Sequence, residues 1–357
     1  MFSVATNYDD DLPRRLAGME VDEVFGSCDQ APVGHGRPRA MVPPISWRRL
    51  ERHVSVCRKT DLEFNLLLNP LCLGGCEGNV RLERKLRWAL ARAVDMGVST
   101  VTVAHPWLVS LARETRLKVR VGVFVGAATV EQVRAWETMG AHSIVLDTHV
   151  LCRDLAAIAR IASATRIDIE LPVNIGCLLR CPLARVHVAR LSHASRSGTQ
   201  PMDACVGWCM ELKRQDPNNL IRADFIRPED LDRYRGLGVK SFKIVDRACS
   251  TEVLVERVRA YHQRRWDGDL LELLGPRGTP PTQRWLPVLD ALWHLGPRRA
   301  WRVMSGARAF MKLELPWSVD NGSLEGLLLP AGCEATGCEA CGHCARMAAI
   351  AVRPRRS

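Results

Sequence analysis

Over its first 265 residues the chain alternates short β-branched or apolar runs with longer amphipathic stretches. The runs are VDEVFG (21–26), LEFNLLLN (62–69), STVTVAH (99–105), KVRVGVFV (118–125), HSIVLDT (142–148), RIDIELPVN (166–174), LIRADFI (220–226) and VKSFKIVD (239–246). Between them, stretches such as RLERKLRWALARAVDMG and TVEQVRAWETMG carry apolar residues at the helical spacing i, i+3, i+4. Several close on Met-Gly or Leu-Gly, a C-terminal helix stop. Eight strands, each followed by a helix, predict an α/β fold, a (β/α)8 TIM-type barrel of the usual size of about 250 residues. A doubly wound open sheet is the competing arrangement, but no Gly-x-Gly-x-x-Gly turn follows the first run.

Such barrels carry their chemistry at the C-terminal ends of the strands, and that is where cysteines gather. Cys28 follows the first run, Cys72 and Cys76 the second, Cys177 and Cys181 the sixth, and Cys249 the eighth. Cys205 and Cys209 lie in the long insert before the seventh, so eight of the 14 cysteines project onto one face. Cys57 and Cys152 fall in predicted helices and read as buried small hydrophobes.

The stretch from Cys177 to Cys209 holds two Cys-x3-Cys pairs. Four thiolates suit a tetrahedral zinc or an iron–sulfur cluster. Zinc knuckles prefer Cys-x2-Cys, so these pairs fit a bulkier cluster better. Beyond residue 265 the alternation stops. A Pro/Gly-rich loop, LLGPRGTPPTQRW, leads into helical stretches with Trp285, Trp293 and Trp301 and a short β segment near FMKLELPW. The tail spaces Cys333, Cys338, Cys341 and Cys344 as Cys-x4-Cys-x2-Cys-x2-Cys, close to ferredoxin spacing. A second [4Fe–4S] cluster is the first expectation there and a structural zinc the alternative. The expected organisation is a barrel over 1–265, a helical and short-β extension over 266–329, and a metal- or cluster-binding tail over 330–357.

Composition sets the compartment. The N-terminus, MFSVATNYDDDLPRR, has no basic region followed by an apolar core, and no apolar run reaches the roughly 18 residues that span a bilayer. A cytoplasmic chain with no membrane partner is expected, and there grouped cysteines bind metal rather than pair as disulfides. Net charge is +11, with the basic residues spread along the chain. This admits an RNA partner, although no RNA-binding module or aromatic platform is present.

Several of these segments together resemble the U32 family, long described as collagenase-like peptidases. The resemblance covers roughly residues 20–265 and rests on EVFGSCDQAPVGHGR, NIGCLLRCPLARVH, Asp203 with Cys205, and FIRPEDLDRYRGLGVKSFKIVDR. In the last of these Lys243, Ile244 and Arg247 keep the family signature, while Val245 and Asp246 replace Glu and Gly. Some members take a cluster ligand at the position of Asp232, and others four residues after the Asp-x-Cys cysteine, where Cys209 stands.

The resemblance implies a [4Fe–4S] cluster held by three or four barrel cysteines, and oxygen-independent hydroxylation in ubiquinone biosynthesis or on RNA bases. The expectation is therefore an iron–sulfur oxidoreductase or group-transfer enzyme acting on a small organic substrate. Cys177, Cys181, Cys205 and Cys209 would hold the cluster, and Cys28, Cys72, Cys76 and Cys249 would line the pocket or add a ligand. RNA base hydroxylation is the alternative, as is a non-catalytic subunit of a heterodimer with a second U32-like chain. An electron donor such as ferredoxin is a further expected partner. Peptidase chemistry is harder to support, since neither His-Glu-x-x-His nor Gly-x-Ser-x-Gly occurs. The polar strand-end residues expected to shape the pocket are His35, Arg37, Asn69, His105, Asp147, His149, Asn174, Arg227, Asp246 and Arg247, with His187 and His193 on the helix after the sixth run. Arg37 and Arg247 read as anion- or substrate-binding groups. Glu170 reads as a buried partner inside its strand.

Overall fold

The computed structural model describes residues 1–37, 44–197, 204–274, 315–328 and 340–355, with the backbone alone for 197 and 204–207. Eight parallel strands close a barrel: β1 (Phe2–Ala5), β2 (Val21–Gly26), β3 (Glu63–Leu68), β4 (Thr100–Val103), β5 (Lys118–Val121), β6 (Ser143–Val145), β7 (Asp168–Pro172) and β8 (Ser241–Ile244). The ring closes where β8 pairs with β1, Ser3 opposite Lys243.

Helices return the chain from each strand to the next. They are α1 (Leu12–Arg15), α2 (Trp47–Lys59), α3 (Val80–Met96), α4 (Pro106–Ala112), α5 (Val130–Met139), α6 (Thr148–Leu151) and α7 (Leu155–Ala164). Between β7 and β8 lie α8 (Ala184–Ser197), α9 (Ala204–Gln215), α10 (Asn218–Ile221) and α11 (Leu231–Gly236), and after β8 come α12 (Thr251–Gln263) and α13 (Leu270–Leu274). Local chemistry sets their ends. Asn79 caps α3 by accepting from the amides of Arg81 and Leu82, and Gly97 stops it at φ 87°. Thr129 and Gln132 form a reciprocal capping box on α5.

The (β/α)8 barrel expected from the alternation is present with one strand exchanged. LIRADFI (220–226) is not a barrel strand: α10 takes its start, and its extended part runs antiparallel to the loop after β7, with Leu178 bridging Ala223. Its apolar alternation is real, because Leu220, Ala223 and Phe225 are buried, but they face a second core outside the barrel. The eighth place belongs to FSVA at the N-terminus, which is only four residues long.

The barrel interior is layered by the two-residue period of its strands. The lowest layer is polar. Glu23 Oε1 accepts from Ser3 Oγ (2.6 Å), Asn65 Nδ2 (3.1 Å) and Arg120 Nη1 (2.5 Å). Glu170 faces Arg120 at 3.1 Å and Lys243 at 3.4 Å, and accepts from Ser241 Oγ at 2.7 Å. Two carboxylates thus balance two cations in a buried layer, where each depends on the other for compensation. Two residues further along the strands, Ala5, Phe25, Leu67 and Val245 form a small apolar floor. Another two residues on come Asn7, Ser27, Asn69 and Arg247, a polar rim at the mouth.

The C-terminal residues fold back onto the insert between β7 and β8. β9 (Trp317–Val319) pairs antiparallel with β10 (Val352–Pro354). Helix α14 (His343–Ala351) buries Met347, Ala348 and Ala351 in the second core together with Leu220 and Ile221. Trp285, Trp293 and Trp301 lie outside the described residues, as do Asp203, Cys333, Cys338 and most of the 266–329 extension. Among the described residues no helix is long and apolar enough to cross a membrane.

Candidate functional site at the barrel mouth

The loop after β7 carries Cys177 and Cys181 and is fixed at both flanks. At its root Asn174 clamps Val245 beyond β8, its Nδ2 donating to the Val245 carbonyl at 2.9 Å and its Oδ1 accepting from the Val245 amide at 2.8 Å. Further on, Gly176 N donates to Asp224 O (2.7 Å), Asp224 N to Cys177 O (2.6 Å) and Leu179 N to Arg222 O (2.9 Å). Arg180, at φ 53°, turns the loop and donates its amide to His149 O at 2.8 Å.

Helix α9 is laid against this loop by Lys213, whose buried ammonium donates to the Gly176 carbonyl. It brings Cys209 to the loop, where the Leu178 amide donates to the thiol. Burial pushes the Cys209 thiol up, with Lys213 opposing and the charges of Cys177 and Cys181 adding to the rise. These three thiols therefore stand within electrostatic reach of one another. Cys205 is four residues earlier on α9, and its side chain is outside the described set. Among the described residues no three His, Cys, Asp or Glu side chains form a group that could hold a metal ion. The donor chemistry itself, soft sulfur donors on two elements with an amide aimed at one sulfur, is of the kind that iron–sulfur clusters and zinc take.

His149 borders the same loop. Its Nδ1 is 3.2 Å from Asp147 Oδ1 and 3.7 Å from Asp224 Oδ2, and its ring hydrogen-bonds Cys177. Burial disfavours the charged ring, but Asp147, Cys177 and Asp224 outweigh it and push it up to about 11. Burial also raises Asp224, to about 6, against the pull of His149. Asp147 caps α6 and is paired with Arg185 as well.

The other cysteines sit differently. Cys28 and Cys249 are buried thiols that donate to Ile45 O (3.4 Å) and Asp246 Oδ2 (3.0 Å), and burial pushes them up to about 11 and about 12. Cys72 and Cys76 are half-buried on the loop after β3, where Cys72 Sγ accepts from the Gly74 amide at 3.3 Å and Cys76 Sγ donates to the Gly74 carbonyl at 3.7 Å. Cys57 and Cys152 are fully buried. In the tail, Cys344 Sγ accepts from Arg153 Nη1 at 3.3 Å, and Cys341 is half-buried nearby on the chain.

The polar residues expected at strand ends divide in the same way. His35 and Arg247 meet beneath the mouth, and Arg37 is close enough to act on Arg247 by charge. Arg227 turns away to pair with Asp230 (2.7 Å) and the Asn321 carbonyl (3.1 Å), a joint that holds the C-terminal segment. His105 caps α4. His187 is half-buried and His193 exposed on α8. Asp246 takes φ 118°, a conformation that favours glycine, and its carboxylate accepts from the Ala248 amide (3.0 Å) and faces buried Arg257 at 3.5 Å. Asp224, Glu23 and Arg120 were not singled out by sequence. Each is a charged residue inside an apolar run, which is the signal that would have found them.

The profile of peptidase family U32 matches residues 20–267, which takes in the whole barrel except β1. The chain belongs to the U32 family. A Methanocaldococcus jannaschii relative, named an uncharacterized protease, is 29% identical over 243 residues, covering 68% of this chain and 72% of its own. A solved structure described as a U32 peptidase is similar at a TM-score of 0.51 and 22% identity, covering 69% of this U32 chain and 93% of its own. At that identity the likeness speaks for the fold alone.

Proposed function

We propose that this U32 chain is an iron–sulfur enzyme that carries out redox or group-transfer chemistry on a small organic substrate at the barrel mouth. Oxygen-independent hydroxylation is the form the family resemblance implies. What supports the reading is that Lys213 ties α9, which carries Cys205 and Cys209, to the loop after β7 that carries Cys177 and Cys181. Together the four would hold a [4Fe–4S] cluster, which supplies one-electron chemistry when bound. The chain's own residues prepare the site. Lys213 and the Leu178 amide oppose the rise that burial gives the Cys209 thiol, and Asn174 and Asp224 hold the loop. His149, kept in place by Asp147, sets a ring against Cys177. Alkylation mapping tests this: in protein purified without oxygen the four thiols should resist iodoacetamide, and all four should label after iron is chelated. Labelling of all four before chelation would defeat the proposal.

One arrangement favours a second reading. A thiol beside an imidazole that is in turn oriented by a carboxylate, here Cys177, His149 and Asp147, is also the constellation of a cysteine hydrolase. The name of the M. jannaschii relative points the same way. Selective alkylation of Cys177 in a chain free of iron and zinc, with loss of a peptidase activity, would favour it. Iron bound through Cys177 would exclude it.

A further inference from the structure

Chemistry in a (β/α)8 barrel takes place at the strand ends, yet the rim of this barrel is shut off from solvent. Ser27 is 4% exposed, Asn69 7% and Arg247 6%, and among the described residues Asn69 Oδ1 has no hydrogen-bond partner. Two elements cross the mouth. The Gly34–Arg37 loop after β2 meets the loop after β5, where a Cβ on Gly36 would fall 1.9 Å from the Phe124 ring. The second element is helix α8.

At one end of α8, Arg185 pairs with Asp147 after β6 and donates to the carbonyls of Phe124 and Gly126 after β5, both at 3.4 Å. At the other end, Ser192 Oγ accepts from the Leu71 amide (2.9 Å) and Arg196 donates to the Leu73 carbonyl (2.7 Å), both after β3. Ser195 Oγ accepts from the His35 amide after β2 at 3.2 Å. From Arg185 to Arg196 the helix is about 16 Å long, and it joins loops on opposite sides of the ring. A glycine lies under each end: a Cβ on Gly126 would fall 1.9 Å from the Arg185 guanidinium, and one on Gly34 2.0 Å from Ser195 Oγ.

What holds α8 down is polar. None of its described side chains belongs to an apolar core, and Val186 is 59% exposed. An element fastened by a few hydrogen bonds, with little apolar surface buried, belongs to the low end of local stability, from which lids are drawn.

We propose that α8 is a lid, which lifts off the loops after β2, β3, β5 and β6 to open the barrel mouth. In the chain it lies between the loop that carries Cys177 and Cys181 and the helix that carries Cys209, so its movement bears on both. The inference goes beyond the chemistry proposed above and does not depend on it, because the seat is built from Arg185, Ser192, Ser195 and Arg196.

Hydrogen exchange read by mass spectrometry, on protein purified without oxygen, tests it. The α8 amides should exchange at least about a hundredfold faster than those of α3, whose apolar face lies in the barrel core. Arg185→Ala combined with Arg196→Ala should speed exchange in α8 about tenfold further and leave α3 unchanged. Asn69→Cys, labelled with iodoacetamide and located by peptide mapping, reports access to the mouth. Labelling at position 69 should be about tenfold faster when both arginines are replaced, and Arg265→Gln, an exposed arginine paired with Asp267, should change neither rate. Exchange in α8 as slow as in α3 would overturn the proposal, as would labelling at position 69 that the arginine changes do not alter. Should Asn69→Cys not fold, the Leu71 and His35 amides, which donate to α8 hydroxyls, serve as reporters. Their exchange should rise with that of α8 in the arginine variant, and unchanged exchange there counts against a lid. Iron assayed on the same samples keeps the two readings apart: a mobile α8 without iron defeats only the cluster, and iron with a fixed α8 defeats only the lid.

Discussion

Asn174 and Val245 are joined by two hydrogen bonds that a single side chain makes to the backbone N–H and C=O of one residue, at 2.8 Å and 2.9 Å, across 71 residues of sequence. The loop that carries Cys177 and the turn that carries Arg247 therefore leave the barrel from one fixed point.

That clamp is buried, with Asn174 2% exposed and also bonded to the Leu273 carbonyl at 3.3 Å. Asn174→Ala should cost about 2–3 kcal/mol by leaving the Val245 peptide groups unpaired. At this chain length the loss reads as a fall in Tm of several degrees. A Tm within a degree of the parent would mean that the two loops are held by something else.

The ionic layer inside the barrel should behave as a unit. Removing Arg120 alone leaves Glu23 and Glu170, both nearly inaccessible, without their shared cation. Arg120→Met should cost about 3–5 kcal/mol in urea denaturation. Arg120→Met combined with Glu170→Gln should cost less than the sum of the two single changes. Strict additivity would contradict the coupling.

His35 gives the site an acid limit. Its folded-state pKa, about 4, lies below the ordinary histidine value of 6.5, so between those two pH values the unfolded chain binds the extra proton. Stability from this group is full above pH 6.5 and is lost as pH falls through 4, by about 3 kcal/mol in all. In His35→Gln the unfolding free energy should lose that slope between pH 6.5 and 4. A slope as steep as the parent's would place the acid sensitivity elsewhere.

Gly36 combines φ 70° with the close approach to Phe124. Gly36→Ala should destabilise the chain by about 1–3 kcal/mol, read as a lower Tm. A Tm equal to the parent's would show that the Phe124 ring yields to the added methyl without cost.

Much of this was legible in the sequence because it is periodic or grouped. The alternation gave seven of the eight barrel strands, and the Cys-x3-Cys spacing marked the pairs that the loop after β7 and α9 carry. What escaped depends on contacts that no local pattern encodes. Phe2–Ala5 is too short to show a period and becomes a strand only because β2 and β8 flank it. LIRADFI alternates as a strand does, yet its partner is a loop and its apolar side faces α14. Arg227 and Arg247 look alike as rim arginines. The first has an acid three residues on, and the second is left among neutral groups.

Metal analysis of anaerobically purified protein, set beside a Cys205→Ala/Cys209→Ala variant, tests the central claim most directly. The account predicts iron and sulfide in equal amounts in the parent, with about four of each lost per chain in the variant. Zinc without sulfide, or iron and sulfide contents that the variant does not change, would contradict it.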